Sequence, residues 1–247
     1  MSGADGRNAS RRARADVAGV WHRAVALLLL TTLAGATPGS GQGGAVAVPK
    51  LPAILEVVNG RAEVVTYRGV RAIKLTATPG AVGQDVDMLA LLDGADFGDG
   101  TIELQVAGAP LPSADSSFRG FIGVSARTGP HGAWSEVFYL RPTNGRSDDQ
   151  LRRNHSVQYA SDPEYPWHRL RAEHPGVYES YADLEPGVWT TMRLEVDGNR
   201  ARLFINGAAQ PTLVVNDLKR GRSQGRIALW AHVQTEAYFG PITVIPR

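Results

Sequence analysis

The residues best suited to chemistry are concentrated between positions 139 and 181. This segment holds five of the seven tyrosines, three of the six histidines, one tryptophan and six arginines, with carboxylates interspersed among them. Long polar segments of this kind bury little apolar surface, and in compact domains they usually form binding or active-site surface. We therefore expect the functional surface of the protein to lie here.

Proton transfer is one chemistry that this region could perform. His155, His168 and His174 are separated by 13 and 6 residues, which matches no local metal-ligand signature. A structural role, a metal site and acid–base catalysis all stay open for them, and His155 is our catalytic candidate for proton transfer. Glu136 and Glu179 are the candidate catalytic carboxylates of a cleft, with an exposed strand position as the alternative.

A bound ion is a further alternative. The turn at residues 144–149 offers asparagine and aspartate oxygens, which suit calcium or another divalent metal, but it lacks the glycine-and-glutamate pattern of a helical calcium loop. We therefore predict no metal ligand and no cofactor, and leave a divalent metal open.

Ligand binding is the second chemistry that the segment suggests. Aromatic rings suit the apolar C–H faces of sugars, and arginines recognise carboxylates or paired hydroxyls in a bidentate manner. The alternatives are that the rings fix the segment onto the rest of the fold and that the arginines form salt bridges within it. The candidate ligand-binding residues are Tyr139, Arg141, Arg153, Tyr159, Tyr165, Trp167 and Tyr178.

The elements that must position these residues follow an amino-terminal leader. Residues 1–36 combine five arginines, an apolar run at 24–33 and the small residues Ala34, Gly35 and Ala36, the order of a cleavable signal peptide. This order predicts a periplasmic or secreted protein, with ordinary secretion favoured over the twin-arginine route. Residues 37–52 are rich in glycine and proline and indicate a flexible linker.

Composition limits the possible partners. Without residues 1–36 the chain has 21 basic and 22 acidic residues, so its net charge is about −1 and gives no support to a nucleic-acid partner. The sequence has no second long apolar stretch that would predict a membrane span. The chain has no cysteine, so its stability must come from its core without disulfides.

Period-two alternation dominates the chain after residue 53. Residues 101–106 and 189–196 alternate cleanly, and turns are predicted at Arg68-Gly69 and at residues 197–200. About a dozen short strands predict an all-β domain over residues 53–247, an antiparallel two-sheet sandwich or jelly roll with a long insertion at 141–183.

The carboxy-terminal half resembles the concanavalin A-like lectin/glucanase superfamily. The resemblance rests on the order of residues 185–197, 201–207 and 225–230, which is similar to laminin-G-like modules and to the 3-keto-disaccharide hydrolase domains of secreted bacterial proteins. It implies a jelly roll and a glycan or glycoside ligand. The E-x-D-x-x-E strand of family-16 glycosidases is missing, since Asp85-Val86-Asp87 has the alternation but neither glutamate.

Three functions follow as hypotheses. The first is a carbohydrate-recognising module of the lectin/glucanase type, favoured by the aromatic segment and the missing paired-carboxylate motif. The second is a glycoside-cleaving enzyme resembling the 3-keto-disaccharide hydrolases, with His155 as its base. The third is a protein-interaction domain of the cell envelope.

Overall fold

Alternating apolar residues form strands throughout the part of the chain that the computed structural model describes, residues 50–247. In the strand Gly100–Pro110, Ile102, Leu104 and Val106 point into the core and are at most 1% exposed, whereas Glu103 between them is exposed. This is the period-two burial that the sequence predicts.

The strands form two antiparallel seven-stranded sheets, which confirms the predicted sandwich. In spatial order the front sheet consists of β1 (Ile54–Val58), β4 (Asp87–Leu92), β13 (Arg226–His232), β6 (Ile122–Thr128), β7 (Ser135–Leu140), β8 (Val157–Asp162) and β9 (Glu179–Ser180). The back sheet consists of β12 (Leu213–Val215), β11 (Arg200–Ile205), β10 (Thr190–Asp197), β5 (Gly100–Pro110), β14 (Thr235–Pro246), β3 (Val70–Ala77) and β2 (Gly60–Tyr67).

The predicted turns are present. Arg68 and Gly69 both have positive φ, 47° and 77°, so they close the β2–β3 hairpin with the twist that such hairpins favour. Pro241 predicts a bulge or an edge position in the last strand, and the pairing of β14 with β5 shifts register between Phe239 and Ile242, so the structure has the bulge.

The core lies between the sheets. The sequence alternation predicts core positions at Ile102, Leu104, Val106, Ile122, Leu194, Phe204, Ile227 and Leu229, and all of them except Phe204 belong to the core. Phe204 is only 7% exposed, but it lies on the outer face of the back sheet, where the Arg193 guanidinium lies 3.8 Å from its ring centroid. Its neighbours Leu203 and Ile205 face the core instead. The aliphatic stem of an arginine can cover an aromatic ring in this way.

The sequence suggested that residues 141–183 form an insertion laid over the sandwich. In the structure they are instead part of the front sheet. They supply β8 and β9, which extend the front sheet beyond β7. Two short helices connect these strands, α1 (Gln150–Asn154) and α2 (Trp167–Glu173). The Asp149 carboxylate caps α1 by accepting hydrogen bonds from the first free backbone N–H groups, so the helix begins there.

A single buried arginine ties together loops at one end of the sandwich. Arg127 on β6 is 1% exposed. Its guanidinium donates hydrogen bonds of 2.8 to 3.1 Å to the backbone carbonyls of Gly98, Gly198 and Gly221. The Glu136 carboxylate lies 3.5 Å away and balances the charge.

Candidate functional site

The outer face of the front sheet carries a groove of about 950 Å³. Outward-facing residues of β4, β13, β7 and β8 form its floor, and its walls come from residues 83–85, 117–121, 144–155 and 166–171. The volume lies in the upper part of the range of ligand sites, roughly 300–1,000 Å³. We refer to this feature as the groove.

The floor of the groove is aromatic. Trp230, Gly123 and Tyr139 occupy one row across three neighbouring strands. Because Gly123 has no side chain, the two flanking rings meet across it, with centroids 4.7 Å apart. A Cβ at Gly123 would lie 2.8 Å from the Cβ of Tyr139. Any larger residue at this position would therefore disturb the aromatic floor.

A charged cluster forms one wall. Arg141 donates hydrogen bonds to Glu179 at 3.1 Å, to Gln158 at 3.0 Å and to the Tyr139 hydroxyl at 2.9 Å. Arg171, on α2, donates from Nε to the other oxygen of Glu179 at 2.9 Å. These charge-assisted bonds fix the guanidinium groups in place.

The cluster sets the protonation of its members. Burial favours the neutral acid at Glu179, but Arg171 and Arg141 outweigh it and lower the pKa. Glu179 is thus a carboxylate that holds arginines. His155 Nδ1 lies 3.6 Å from it, yet burial, reinforced by the two arginines, lowers the pKa of His155. His155 is therefore neutral near neutral pH and can accept a proton.

Trp167 and Arg141 join the cluster to the aromatic floor. Trp167 is 43% exposed, and its ring centroid lies 4.7 Å from the Arg171 guanidinium and 5.5 Å from that of Arg141. The indole is thereby supported on the protein side and open to solvent on the other. Such a ring offers a rigid stacking surface.

Two acids with raised pKa face the same groove. Burial and the negative charge of Asp162 raise the pKa of Asp87 to about 7, although the indole of Trp230 acts in the opposite direction. Burial raises the pKa of Asp162 to about 6, opposed by His168. Carboxyl groups of this kind hold protons near neutral pH, so they can donate hydrogen bonds or act as general acids.

The structure brings together five of the ten residues predicted from the sequence: His155, Glu179, Tyr139, Arg141 and Trp167. Two other predicted residues lie elsewhere without being buried. Arg153 donates a 3.0 Å hydrogen bond to Tyr181, and Tyr165 lines a second, smaller cavity.

The other three predicted residues, Glu136, Tyr159 and Tyr178, are buried and do not line the groove. Glu136 is 1% exposed and faces the core, because side chains alternate along β7 and Tyr139 takes the opposite face. Its carboxylate accepts hydrogen bonds from the hydroxyl of Tyr159 at 2.9 Å and from the backbone N–H of Arg220 at 3.0 Å. Tyr159 is fully buried, and Tyr178 is 3% exposed and donates to Asp217 at 2.7 Å. All three side chains form hydrogen bonds with other parts of the protein.

The sequence did not single out several residues of the groove. Asp87, Trp230 and His232 come from β4 and β13, which are distant in sequence from the segment 139–181. His232 lies 3.1 Å from Asp85, and burial lowers its pKa. The alternation at residues 85–87 was the one visible signal of this part of the site.

The turn considered for calcium is engaged in protein contacts. Asp149 caps α1, and the Asn144 side-chain oxygen accepts a hydrogen bond from Arg152 at 2.9 Å. Within residues 50–247, no three histidine or acidic side chains are grouped so that they could hold a metal ion. Over the same range, no helix has the length and apolar character needed to cross a membrane.

Comparison with known proteins supports the fold. No family model matches the chain, and no curated protein matches it. A solved structure of the carbohydrate-binding module CBM66 from Bacillus subtilis is similar with a TM-score of 0.51 and 14% identity, over 78% of this chain and 96% of that one. The fold is thus a concanavalin A-like jelly roll, as the sequence resemblance implied.

Two further solved structures are less similar. A protein of unknown function with a galectin-like fold from Bacillus subtilis has a TM-score of 0.46 and 11% identity, over 81% of this chain and 100% of that one. An alginate lyase from Corynebacterium sp. has a TM-score of 0.45 and 14% identity, over 75% and 81%.

Proposed function

We propose that the protein is a carbohydrate-recognising module and that its groove binds the sugar. The observation that carries the proposal is the exposed Trp167 ring, which Arg141 and Arg171 support beside a floor formed by the contacting rings of Tyr139 and Trp230. Sugars combine apolar C–H faces with hydroxyls, and this wall offers both a ring and fixed donors. The fold shared with a carbohydrate-binding module supports the proposal.

The arginines at the rim suit hydroxyl and carboxylate oxygens. Arg119 and Arg152 line the groove beside Arg141, and burial together with the charges of Arg152 and Arg141 lowers the pKa of Arg119. A ligand oxygen that accepts from this group would relieve the mutual repulsion of the three guanidinium groups. The groove is therefore suited to sugars rich in acceptor oxygens.

Replacement of Trp167 by alanine tests the binding role. The loss of a stacking ring removes apolar contact worth about 1–3 kcal/mol, so affinity for a sugar identified on a glycan array should fall roughly five- to a hundredfold. Trp189→Ala is the matched control, because that indole lies on the opposite sheet against Tyr67. Isothermal titration calorimetry of both variants, at equal concentrations of folded protein, measures the two sugar affinities. If the two variants keep equal affinity, Trp167 belongs to the scaffold and the proposal fails.

Cleavage of a glycoside is the second candidate, favoured by the two acids of the groove. Asp87, whose pKa of about 7 leaves it partly protonated at neutral pH, would protonate the leaving oxygen, and neutral His155 would activate water. The negative charge of Asp162 helps Asp87 to keep its proton. Under this hypothesis Asp87→Asn abolishes turnover while sugar affinity is retained. If sugars found on the array are bound but never cleaved by the wild-type protein, this candidate is excluded for them.

We further propose that the protein works outside the cytoplasm, as the leader sequence predicts. The leader and most of the linker, residues 1–49, lie outside the described residues. Lys50, the first described residue, forms an isolated bridge to Ile242 of β14. Amino-terminal sequencing of exported protein tests the location.

A further inference from the structure

A second cavity of about 370 Å³ lies apart from the groove. Ser161 lines it, whereas the next residue, Asp162, lines the groove, because neighbouring side chains on β8 point to opposite faces of the sheet. The other walls include Trp134 at the β6–β7 turn and Lys219 and Arg220 from the loop after β12. We refer to this cavity as the side pocket.

The side pocket contains polar atoms that nothing in the described protein satisfies. Five buried side-chain polar atoms of residues 50–247 make no hydrogen bond, and three of them belong to residues that line this pocket: Ser161 Oγ, Arg220 Nε and Ser223 Oγ. Ser161 is fully buried. Buried donors without partners cost stability, so their concentration in one cavity points to a ligand that binds them.

The charged groups of the pocket are held in place. The Arg220 guanidinium lies 4.6 Å from the Trp134 ring centroid, and its Nη2 is bonded to Glu164, which leaves Nε free. The Lys219 ammonium lies 2.7 Å from Asp217. Lys219 and Arg220 are thus each paired with one carboxylate, Asp217 and Glu164, and both cations are fixed at the pocket.

These features define the complementary ligand. The Nε–H group of arginine can only donate, and both serine hydroxyls can donate, so the ligand must present acceptor oxygens in a small space. The Nε–H of a guanidinium forms its strongest hydrogen bonds with an acceptor that carries negative charge. The volume is at the small end of ligand sites, which suits a single sugar-sized molecule.

We propose that the side pocket binds a small sugar acid, a hexuronate monosaccharide, through its carboxylate. The carboxylate accepts from Arg220 Nε and from the hydroxyls of Ser161 and Ser223. This site is independent of the groove and of the function proposed for it.

The tryptophans provide a separate reporter for each site. Trp134 lies at the side pocket, Trp167 and Trp230 lie at the groove, and Trp189 lies on the opposite sheet. In ¹⁵N-indole NMR of the full chain, sodium glucuronate should shift the Trp134 signal saturably, and glucose should not. Shifts confined to Trp167 and Trp230 would place the sugar acid in the groove and overturn the side-pocket proposal while supporting the groove. No saturable shift of Trp134, or an equal shift with glucose, also overturns it.

Conservative variants then test the contacts. Ser223→Ala and Arg220→Lys should each weaken glucuronate binding roughly tenfold, since each removes a hydrogen bond to a charged group. Thr235→Val is the matched control, because Thr235 Oγ1 is also buried and unbonded but does not line the pocket. The melting temperature of Ser223→Ala should not fall, because its hydroxyl has no protein partner to lose. Equal glucuronate affinity in Ser223→Ala, Arg220→Lys and Thr235→Val would refute the proposal.

Discussion

Replacing Asp87 by asparagine should make the protein more stable at high pH. The pKa of Asp87 is raised from 3.8 to about 7 in the folded protein. A group whose pKa is raised by folding contributes stability that is fully present below the unfolded pKa and is lost as pH rises through the folded pKa. For Asp87 this window extends from about pH 4 to about pH 7.

The magnitude follows from the size of the rise. Each tenfold change in proton affinity corresponds to about 1.4 kcal/mol, so the full rise would cost about 4 kcal/mol above pH 7. Asp87 is partly exposed at the groove, and water screens its charge. We therefore expect about half, roughly 2 kcal/mol. Asparagine has no charge, so the variant should avoid this loss.

Urea unfolding between pH 4.5 and 8.5, followed by tryptophan fluorescence, measures the effect. The variant and the wild type should differ little at pH 4.5, and the variant should be more stable at pH 8.5 by about 2 kcal/mol. Asp148→Asn is the control, because Asp148 is exposed and forms no ion pair among residues 50–247. A difference between variant and wild type that is the same at both pH values would show that Asp87 ionises normally, and the reasoning on the groove acids would fail.

Three other predictions follow from the site and the leader. Glu136→Ala should destabilise the fold by about 3–5 kcal/mol, because it removes one of the two carboxylates that pair with buried Arg127 and leaves the Tyr159 hydroxyl and the Arg220 backbone N–H without their acceptor. Exposed Glu103→Ala should change stability by less than about 0.5 kcal/mol. Sugar affinity of the folded fraction should be unchanged, and a selective loss of affinity would return Glu136 to the site. Arg171→Gln should raise the pKa of both Glu179 and His155, since Arg171 lowers the pKa of each. NMR titration measures both pKa values, and Arg169→Gln is the control, because the Arg169 guanidinium bonds Glu173 instead. Unchanged pKa values in Arg171→Gln would show that Arg171 does not act on Glu179 and His155. Exported protein should begin near Thr37, and an intact Met1 on the active form, found by amino-terminal sequencing, would exclude the predicted cleavage.

The sequence predicted the sheets well because their signals are local. The alternation at Ile102, Leu104 and Val106 and the turn at Arg68-Gly69 are each set by a few neighbouring residues. The front sheet was harder to interpret, because all six residues of β7 are buried and both faces of the strand are covered. Hydrophobicity alone then does not show which face a residue takes.

The separation of Glu136 from the groove could have been predicted from the sequence. Glu136 and Tyr139 are three positions apart on one strand, so their side chains must face opposite sides of the sheet. Once the strand is assigned through residue 139, the two side chains cannot belong to the same surface. The relation between Asp87 and Asp162 is different. They are distant in sequence and on different strands. Only the folded sheet brings them close enough for the charge of Asp162 to raise the pKa of Asp87. Spacing along the chain carries no signal of that contact.

The arrangement around Arg127 has a kinetic consequence. The carbonyls that it binds belong to loops near residues 98, 198 and 221, which are far apart along the chain, so these hydrogen bonds can form only after both sheets have come together. Contacts that form after the rate-limiting step of folding leave the folding rate unchanged and slow unfolding. We therefore expect the hydrogen bonds of Arg127 to slow unfolding and so to lengthen the lifetime of the native state. Stopped-flow measurements on Arg127→Lys should show faster unfolding at an unchanged folding rate. A slower folding rate in that variant would place the contact in the folding nucleus instead.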